Sequence, residues 1–273
     1  MEVELATGTE YDKTHPNYER WKRARELSRE RGNFVRSLIS EFIECKNLRV
    51  LDIGSGLGTT AEVFANDNLV FSLERNKERL KKQIDSGSML LISGDAKALP
   101  FSQNKFDLII LQDCIEHFDS KEYLASQLYY LLTENGIIYI STPNRFSILN
   151  ILSDPHWGMP LVSLFKRDQI KNYFLKYFRK NDFKRNDIAE LYSLTELINL
   201  FQQKFMLILN TRFASAELMN GNKGLVWSNF HLNLVKLLHK LKLDRLLIRT
   251  VNDKPGFINK FITPTFYLVL KKK

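Results

Sequence analysis

Between Leu48 and Thr142, short apolar runs alternate with amphipathic stretches. "LRVLDI" (48–53), "LVFSLE" (69–74), "MLLIS" (89–93), "FDLIILQ" (106–112) and "GIIYIST" (136–142) read as strands. The polar-apolar spacing of 57–66, of "NKERLKKQI" after Arg75 and of a segment near 120–133 reads as helix. Strands that alternate with helices make βαβ units and a mainly parallel sheet. The nearly unbroken apolar character of 106–112 belongs to a strand covered on both faces. Upstream, residues 17–45 predict two helices: Phe34, Val35, Leu38, Ile39, Phe42 and Ile43 recur at helical spacing after a break expected at Gly32-Asn33.

After Thr142 the regular pattern lapses. "PNRFSILNILSDPHWGMPLVSLFKR" mixes Pro, Gly and aromatics and reads as a long functional loop. "SLTELINLFQQK" restores a helix, with Ser193 and Glu196 spaced as a capping box. "FMLILNT" (205–211) and "TFYLVLK" (265–271) read as the last two strands. The expected organisation is therefore an N-terminal helical cap over 1–47 and one α/β domain over 48–273. That domain carries insertions at about 143–192 and 212–262.

The second insertion changes the picture through its charge. Eleven Lys/Arg against two Asp lie between Lys223 and Lys273, which accounts for the whole net charge of +9. Within it, Leu234, Leu237, Leu238 and Leu241 share a helical face, among a wider set that includes Phe230, Leu246 and Leu247. Lys236, Lys240, Lys242, Arg245 and Arg249 stand beside them. Such a segment suits an anionic membrane surface, an anionic substrate, or a lid whose leucines pack on the core. "KYFRKNDFKR" (176–185) adds positive charge. No apolar run approaches the roughly 18 residues of a membrane span, and the polar, acidic N-terminus is not expected to be a secretory signal. Cys45 and Cys114 lack metal-type spacing and fit a reducing, cytoplasmic setting, with a membrane-peripheral one left open.

The candidate chemistry begins at "VLDIGSGLGTT" (50–60), where Gly54, Gly56 and Gly58 follow a strand. A triphosphate loop needs a lysine after its glycines, and none is present. A dinucleotide fingerprint needs glycine at 59, where Thr59 stands. Asp52 would also repel a pyrophosphate at this helix N-terminus. A carboxylate there suits a ligand with a cationic group, although Asp52 could equally cap the following helix.

This stretch resembles the first motif of class I S-adenosylmethionine-dependent methyltransferases. "GDAKALPFSQNKFDLII" resembles the motifs that follow. The resemblance spans roughly 48–142 and implies a Rossmann-like, seven-stranded, mostly parallel sheet with the last strand antiparallel and helices on both faces. It implies S-adenosylmethionine as cofactor. The loop residues Asp52, Gly54, Ser55, Gly56 and Gly58 would lie at its methionine part and Glu74 at its ribose. Asp95 and Ala96 would meet the adenine, with Gln112 closing the site.

"QDCIEHF" (112–118) falls at the methyl end in this fold. Asp113, Glu116 and His117 resemble the E-x-x-E-H run of the ubiquinone-pathway O-methyltransferase-like group (types 11 and 23) and of small-RNA 2′-O-methyltransferases. Those relatives imply catalytic roles for Asp113, Glu116 and His117. They also imply a divalent ion such as Mg²⁺ on these residues with His156 of "SDPHWG". The departure is Asp113, one methylene shorter than the usual Glu. His117 as a metal-free general base, and Glu116-His117 as a structural brace, remain open beside it. "YDKTHPNYERWKRAREL" would form a lid over the cofactor or a helix that merely covers the sheet.

The expected reaction is methyl transfer by in-line displacement to a hydroxyl of a small or lipid-linked acceptor, a quinone precursor or a glycan. An anionic membrane surface through 223–273 is a candidate partner. An RNA 2′-O-methyltransferase using a metal, and a non-catalytic cofactor-binding scaffold, stand as alternatives. The pattern does not give the oligomeric state.

Overall fold

The computed structural model describes residues 12–83, 89–185, 187–226, 229–243 and 249–273. Seven strands form one sheet: β1 (Arg49–Ile53), β2 (Leu69–Glu74), β3 (Met89–Ser93), β4 (Phe106–Gln112), β5 (Leu132–Pro143), β6 (Phe205–Leu209) and β7 (Thr265–Lys272). Their order is β3-β2-β1-β4-β5-β7-β6. The first five run parallel, and β7 inserts antiparallel between β5 and β6. The sheet order reverses beside β1 and β4, so the loops after these strands open a crevice at their carboxyl ends.

Helices cover both faces. On one side, α2 (Ser28–Ser40) and α3 (Thr59–Ala65) bury Phe34, Leu38, Ile39 and Phe64 against Val50, Ile110 and Tyr139. On the other, α5 (Lys121–Leu131) and α9 (Leu194–Phe201) bury Leu128, Leu197 and Phe201 against Leu51, Ile109 and Leu268. The Ser193–Glu196 capping box forms as the spacing predicts.

Three features differ from expectation. The N-terminal helices, α1 (Tyr18–Glu26) and α2, break at Leu27 rather than at Gly32-Asn33. Gly32 lies inside α2 because that helix presses on α3: a Cβ there would stand 3.3 Å from the Thr60 Cα and 3.1 Å from Val63. β5 starts at Leu132, where the helix was expected to continue, because Leu132 pairs with Phe106 across a register shift. The expected loop after β5 also contains α6 (Ile148–Leu152), and a helical run 167–178 follows it in the same insertion. In that run a π-helical stretch, Ile170–Leu175, joins α7 (Arg167–Gln169) to α8 (Lys176–Phe178).

α10 (Thr211–Met219) and α11 (Asn229–Lys240) occupy the second insertion. Leu237 and Leu241 are half exposed rather than packed on the core. The expectations that fall on the Phe230 side chain, Arg245, Leu246, Leu247 and the first eleven residues lie outside the described residues. Among the described residues, no helix is long and apolar enough to cross a membrane.

Candidate active site

β1 delivers the glycine loop. Gly54, Gly56 and Gly58 all have positive φ, and a Cβ on Gly54 would press on Cys114 at 3.1 Å. The bend lets the amides of Gly54 and Ser55 donate to the Leu73 carbonyl. Glu74, buried at the end of β2, accepts from the Gly56 amide at 2.8 Å and from the Asn76 amide at 2.7 Å. Gln83 braces the loop from behind: its amide donates to Ser55 Oγ and the Gly56 carbonyl, and its Oε1 accepts from Ser72. No sequence signal pointed to Gln83.

Two cavities meet over this loop. One, about 380 Å³, is lined by Gly54, Glu74, Asp95, Ala96, His117 and Phe118 among others. The next, about 300 Å³, is lined by Gly54, Ser55, Gly56, Thr60, Gln112 and Asp113, with α1 and α2 as its opposite wall. Gln112 is fixed by the Thr60 hydroxyl at 2.6 Å. Asp52 lines neither cavity. It is buried beneath the loop, accepts a bond from the Ala61 amide of α3, and has one oxygen, Oδ2, without a partner. Burial, then the neighbouring Glu74, raises its pKa to about 7.

β4 ends where Asp113 takes φ +51°, a conformation that non-glycine residues rarely adopt. The Asp113 carboxylate lies near enough to Glu116 to act on it by charge, but is held by other partners. It accepts from Ser141 Oγ at 2.9 Å and is ion-paired with Arg31 of α2. The short 3-10 turn Ile115–His117 then places Glu116 and His117 together. His156 joins them from the loop after α6, and one ligand atom from each of the three lies within 4.8 Å of the others.

The electrostatics of this trio are those of groups awaiting a charge. Glu116 is fully buried; Oε2 accepts from Thr142 at 2.9 Å, whereas Oε1 has no hydrogen-bond partner and stands 3.7 Å from His156 Nε2. Desolvation, then Asp113, pushes its pKa well above the carboxylate range. Desolvation and His117 lower His156 to about 3, and desolvation also lowers His117. His117 Nδ1 lies 3.0 Å from the Asp187 carbonyl; donation there leaves Nε2 with its lone pair. An orphaned buried carboxylate oxygen beside two neutral imidazoles fits a divalent cation. The mixed O/N set suits a transition ion better than the expected Mg²⁺, which prefers oxygen ligands.

His156 is held by its own turn. Asp154 accepts from the amides of His156 and Trp157, both at 2.8 Å. Arg20 of α1 donates to the carbonyls of Asp154 and Pro155 and to Ser153 Oγ. Above this turn lies a third cavity, about 120 Å³. Arg20, Arg23, Arg31 and Arg185 line it with Trp21, Trp157, Leu27 and Val226, and Asp187 is its one acid. Trp21, Ala24, Arg31 and His156 also line the 300 Å³ cavity, so the two are separated by a shared wall. Sequence reasoning missed Arg31, which carries no motif, and reached Trp21 only as part of the expected lid segment.

The methyltransferase domain family matches residues 23–204, two-thirds of the chain. This chain is a class I S-adenosylmethionine-dependent methyltransferase. The methyltransferase is 34% identical over 162 residues to phosphoethanolamine N-methyltransferase 2 of Caenorhabditis elegans, covering 55% of this chain and 32% of that one. It is 32% identical over 97 residues to sterol 24-C-methyltransferase of Pneumocystis carinii, covering 32% and 26%. Against a ubiquinone biosynthesis O-methyltransferase of Bartonella quintana the figure is 23% over 171 residues, covering 60% and 62%. The chain thus spans less than two-thirds of each of these relatives. Two solved structures share its fold, each with a TM-score of 0.53. One is an S-adenosylmethionine-dependent methyltransferase of Mesorhizobium loti, at 12% identity over 87% of this chain and 96% of that one. The other is a Pyrococcus horikoshii protein, at 13% identity over 97% and 99%.

Proposed function

We propose that this methyltransferase acts on a hydroxyl of an anionic, partly apolar acceptor, for which a lipid-linked molecule is the best fit. The observation that carries this reading is the third cavity. Arg31 is ion-paired with Asp113 and Arg185 with Asp182 and Asp187, so the positive charge offered to an acceptor is that of Arg20 and Arg23, while the two tryptophans, Leu27 and Val226 favour an apolar body. The named relatives include methyltransferases of phosphoethanolamine, sterols and ubiquinone biosynthesis, two of them transferring to nitrogen or carbon. The preference for oxygen rests instead on the trio of Glu116, His117 and His156.

S-Adenosylmethionine would lie in the two larger cavities, its adenosine near Glu74, Asp95 and Ala96 and its methionine part over Gly54, Ser55, Gly56 and Gln112. Asp52 would act from beneath the loop, and Gly58 by turning the chain into α3. When bound, the cofactor would supply an electrophilic methyl group for in-line transfer to the acceptor oxygen, with a neutral thioether as the leaving group. The hydroxyl proton goes to His117 Nε2, whose tautomer the Asp187 carbonyl fixes. Asp113 is a positioning residue here, because Arg31 and Ser141 occupy its carboxylate.

A second reading is favoured by the unpartnered Glu116 Oε1. A divalent ion held by Glu116, His117 and His156 would lower the pKa of a hydroxyl brought to it. Either way, the described residues 12–47 would serve as a cap, with α1 walling both the cofactor and the acceptor cavities.

The deciding experiment gives the protein methyl-labelled S-adenosylmethionine and cell extract, with and without chelator. The products are partitioned into organic-soluble, nucleic-acid, protein and small-molecule fractions. Chelator-insensitive label in the organic fraction supports the first reading, and chelator-sensitive label there supports the second. Label confined to RNA would replace both with a 2′-O-methyltransferase, and no label in any fraction would favour a cofactor-binding scaffold.

A further inference from the structure

A chain of polar side chains runs inward from the N-terminal cap to His117. His15, in the turn before α1, is buried and stacks on Trp21 of α1 with ring centroids 4.4 Å apart. Its Nδ1 accepts from the Asn17 amide at 3.1 Å, so the ring proton is on Nε2 and is donated to Asp182, 3.2 Å from either carboxylate oxygen. Asp182 is buried too, and Arg185 Nη1 donates to its Oδ1 at 3.4 Å. The same guanidinium closes a fork on Asp187, Nε to Oδ1 and Nη2 to Oδ2, both at 2.9 Å. The Asp187 carbonyl then lies 3.0 Å from His117 Nδ1.

Arg185 is placed more closely than charge balance requires. All three of its guanidinium nitrogens are engaged, and the guanidinium carbon stands 5.2 Å from the centre of the Trp157 ring. With both carboxylate oxygens clamped, Asp187 has little freedom to turn its carbonyl away from the histidine. That carbonyl sets the tautomer: a proton on Nδ1 leaves Nε2 the lone pair that a general base and a metal ligand both need. Free histidine prefers the opposite form, with the proton on Nε2, so the fold imposes the useful one. The backbone of the turn that bears Glu116 and His117 is anchored without this chain. Arg167 Nη2 donates to the carbonyls of Glu116 and Phe118, and the Glu190 amide to that of Glu116. What Arg185 adds is the state of the imidazole ring.

We propose that Arg185 is a positioning residue that ties the seat of the cap, through His15 and Asp182, to the tautomer of His117. The histidine then presents its Nε2 lone pair when the cap is latched. The inference rests on the role given to His117 above, as base or as ligand, but its readout needs neither acceptor nor turnover.

The test is ring-nitrogen NMR of the full chain carrying isotope-labelled histidine, treated with chelator, at neutral pH. His117 is assigned by the signals lost in His117→Gln. In the wild type it should carry its proton on Nδ1 alone. Arg185→Lys keeps the charge, but one ammonium cannot hold three carboxylate oxygens at once. His117 should therefore move toward the Nε2-protonated form, and kcat should fall about tenfold. A role confined to neutralising the two carboxylates would be rescued by lysine, so unchanged His117 signals in this variant would overturn the proposal. His15→Phe keeps the ring on Trp21 and removes the bond to Asp182. It should shift His117 the same way from three side chains away, and an unmoved His117 there would overturn the link to the cap. A wild-type His117 protonated on Nε2 would overturn the whole. Normal turnover in His117→Gln is a separate failure, that of the proposed function, read in the assay and not in these spectra.

Discussion

The guanidinium of Arg31 meets the carboxylate of Asp113 on the wall shared by the candidate cofactor and acceptor cavities, joining α2 to the end of β4. Both side chains are largely removed from solvent, so losing the guanidinium leaves the Asp113 carboxylate to the neutral Ser141 hydroxyl. Arg31→Met should destabilise the protein by about 1–3 kcal/mol, and Arg31→Met with Asp113→Asn by less than the sum of the two singles. Urea unfolding of the double-mutant cycle measures this, and strict additivity would remove the pair from the account.

Asp52 is expected to make cofactor binding pH-dependent. With its pKa at about 7 in the free protein, the carboxyl keeps its proton below neutrality. A cationic cofactor over the loop favours the ionised form, so binding must release that proton at lower pH. Affinity should therefore rise with pH up to about 7 and level off above it, by at most tenfold per pH unit. Calorimetry in buffers of different ionisation enthalpy reads the proton directly. Asp52→Asn should bind more weakly, with the pH slope gone.

His117 is expected to carry turnover and not cofactor affinity. His117→Gln should lower kcat by about a hundredfold or more with an unchanged cofactor Kd. Because desolvation lowers its pKa, the acid limb of the wild-type rate profile should fall below the ordinary histidine range. Turnover unaffected by the substitution would sink both readings of the trio.

Arg20 fixes the turn that presents His156 through three donated hydrogen bonds. Arg20→Ala should raise the KM for the acceptor about tenfold and leave the cofactor Kd within twofold. Arg20→Lys should recover little, since a single ammonium cannot span three acceptors. Steady-state kinetics with both substrates varied separates the two effects.

The sheet was legible because each parallel strand is a short apolar run set off by glycines or polar turns, as "FDLIILQ" and "VLDIGSG" show. The loop residues were legible for the same reason, a motif being local by nature. Arg31 and Gln83 were not, and Trp21 only as part of an expected lid. Their positions follow from how α1, α2 and the segment after α4 (Lys77–Lys81) fold back over the glycine loop, which no spacing within those segments records. Gly32 shows the opposite error: glycine signals a break in a lone helix, but here it marks where two helices touch. Asp113 groups with Glu116 by resemblance to the E-x-x-E-H run, and its pairing with Arg31, from a backbone of positive φ, could not be read from that motif.

α1 forms part of the wall of the 300 Å³ and 120 Å³ cavities through Trp21 and Ala24, and it is latched by Arg20 and by His15, which sits 3.2 Å from Asp182. One helix thus walls two cavities. On the proposed function, a cofactor seated over the glycine loop would meet α1 and so complete the acceptor cavity behind it. The kinetic order expected from that is cofactor first, methylated acceptor departing before the spent thioether, and thioether competing with cofactor alone.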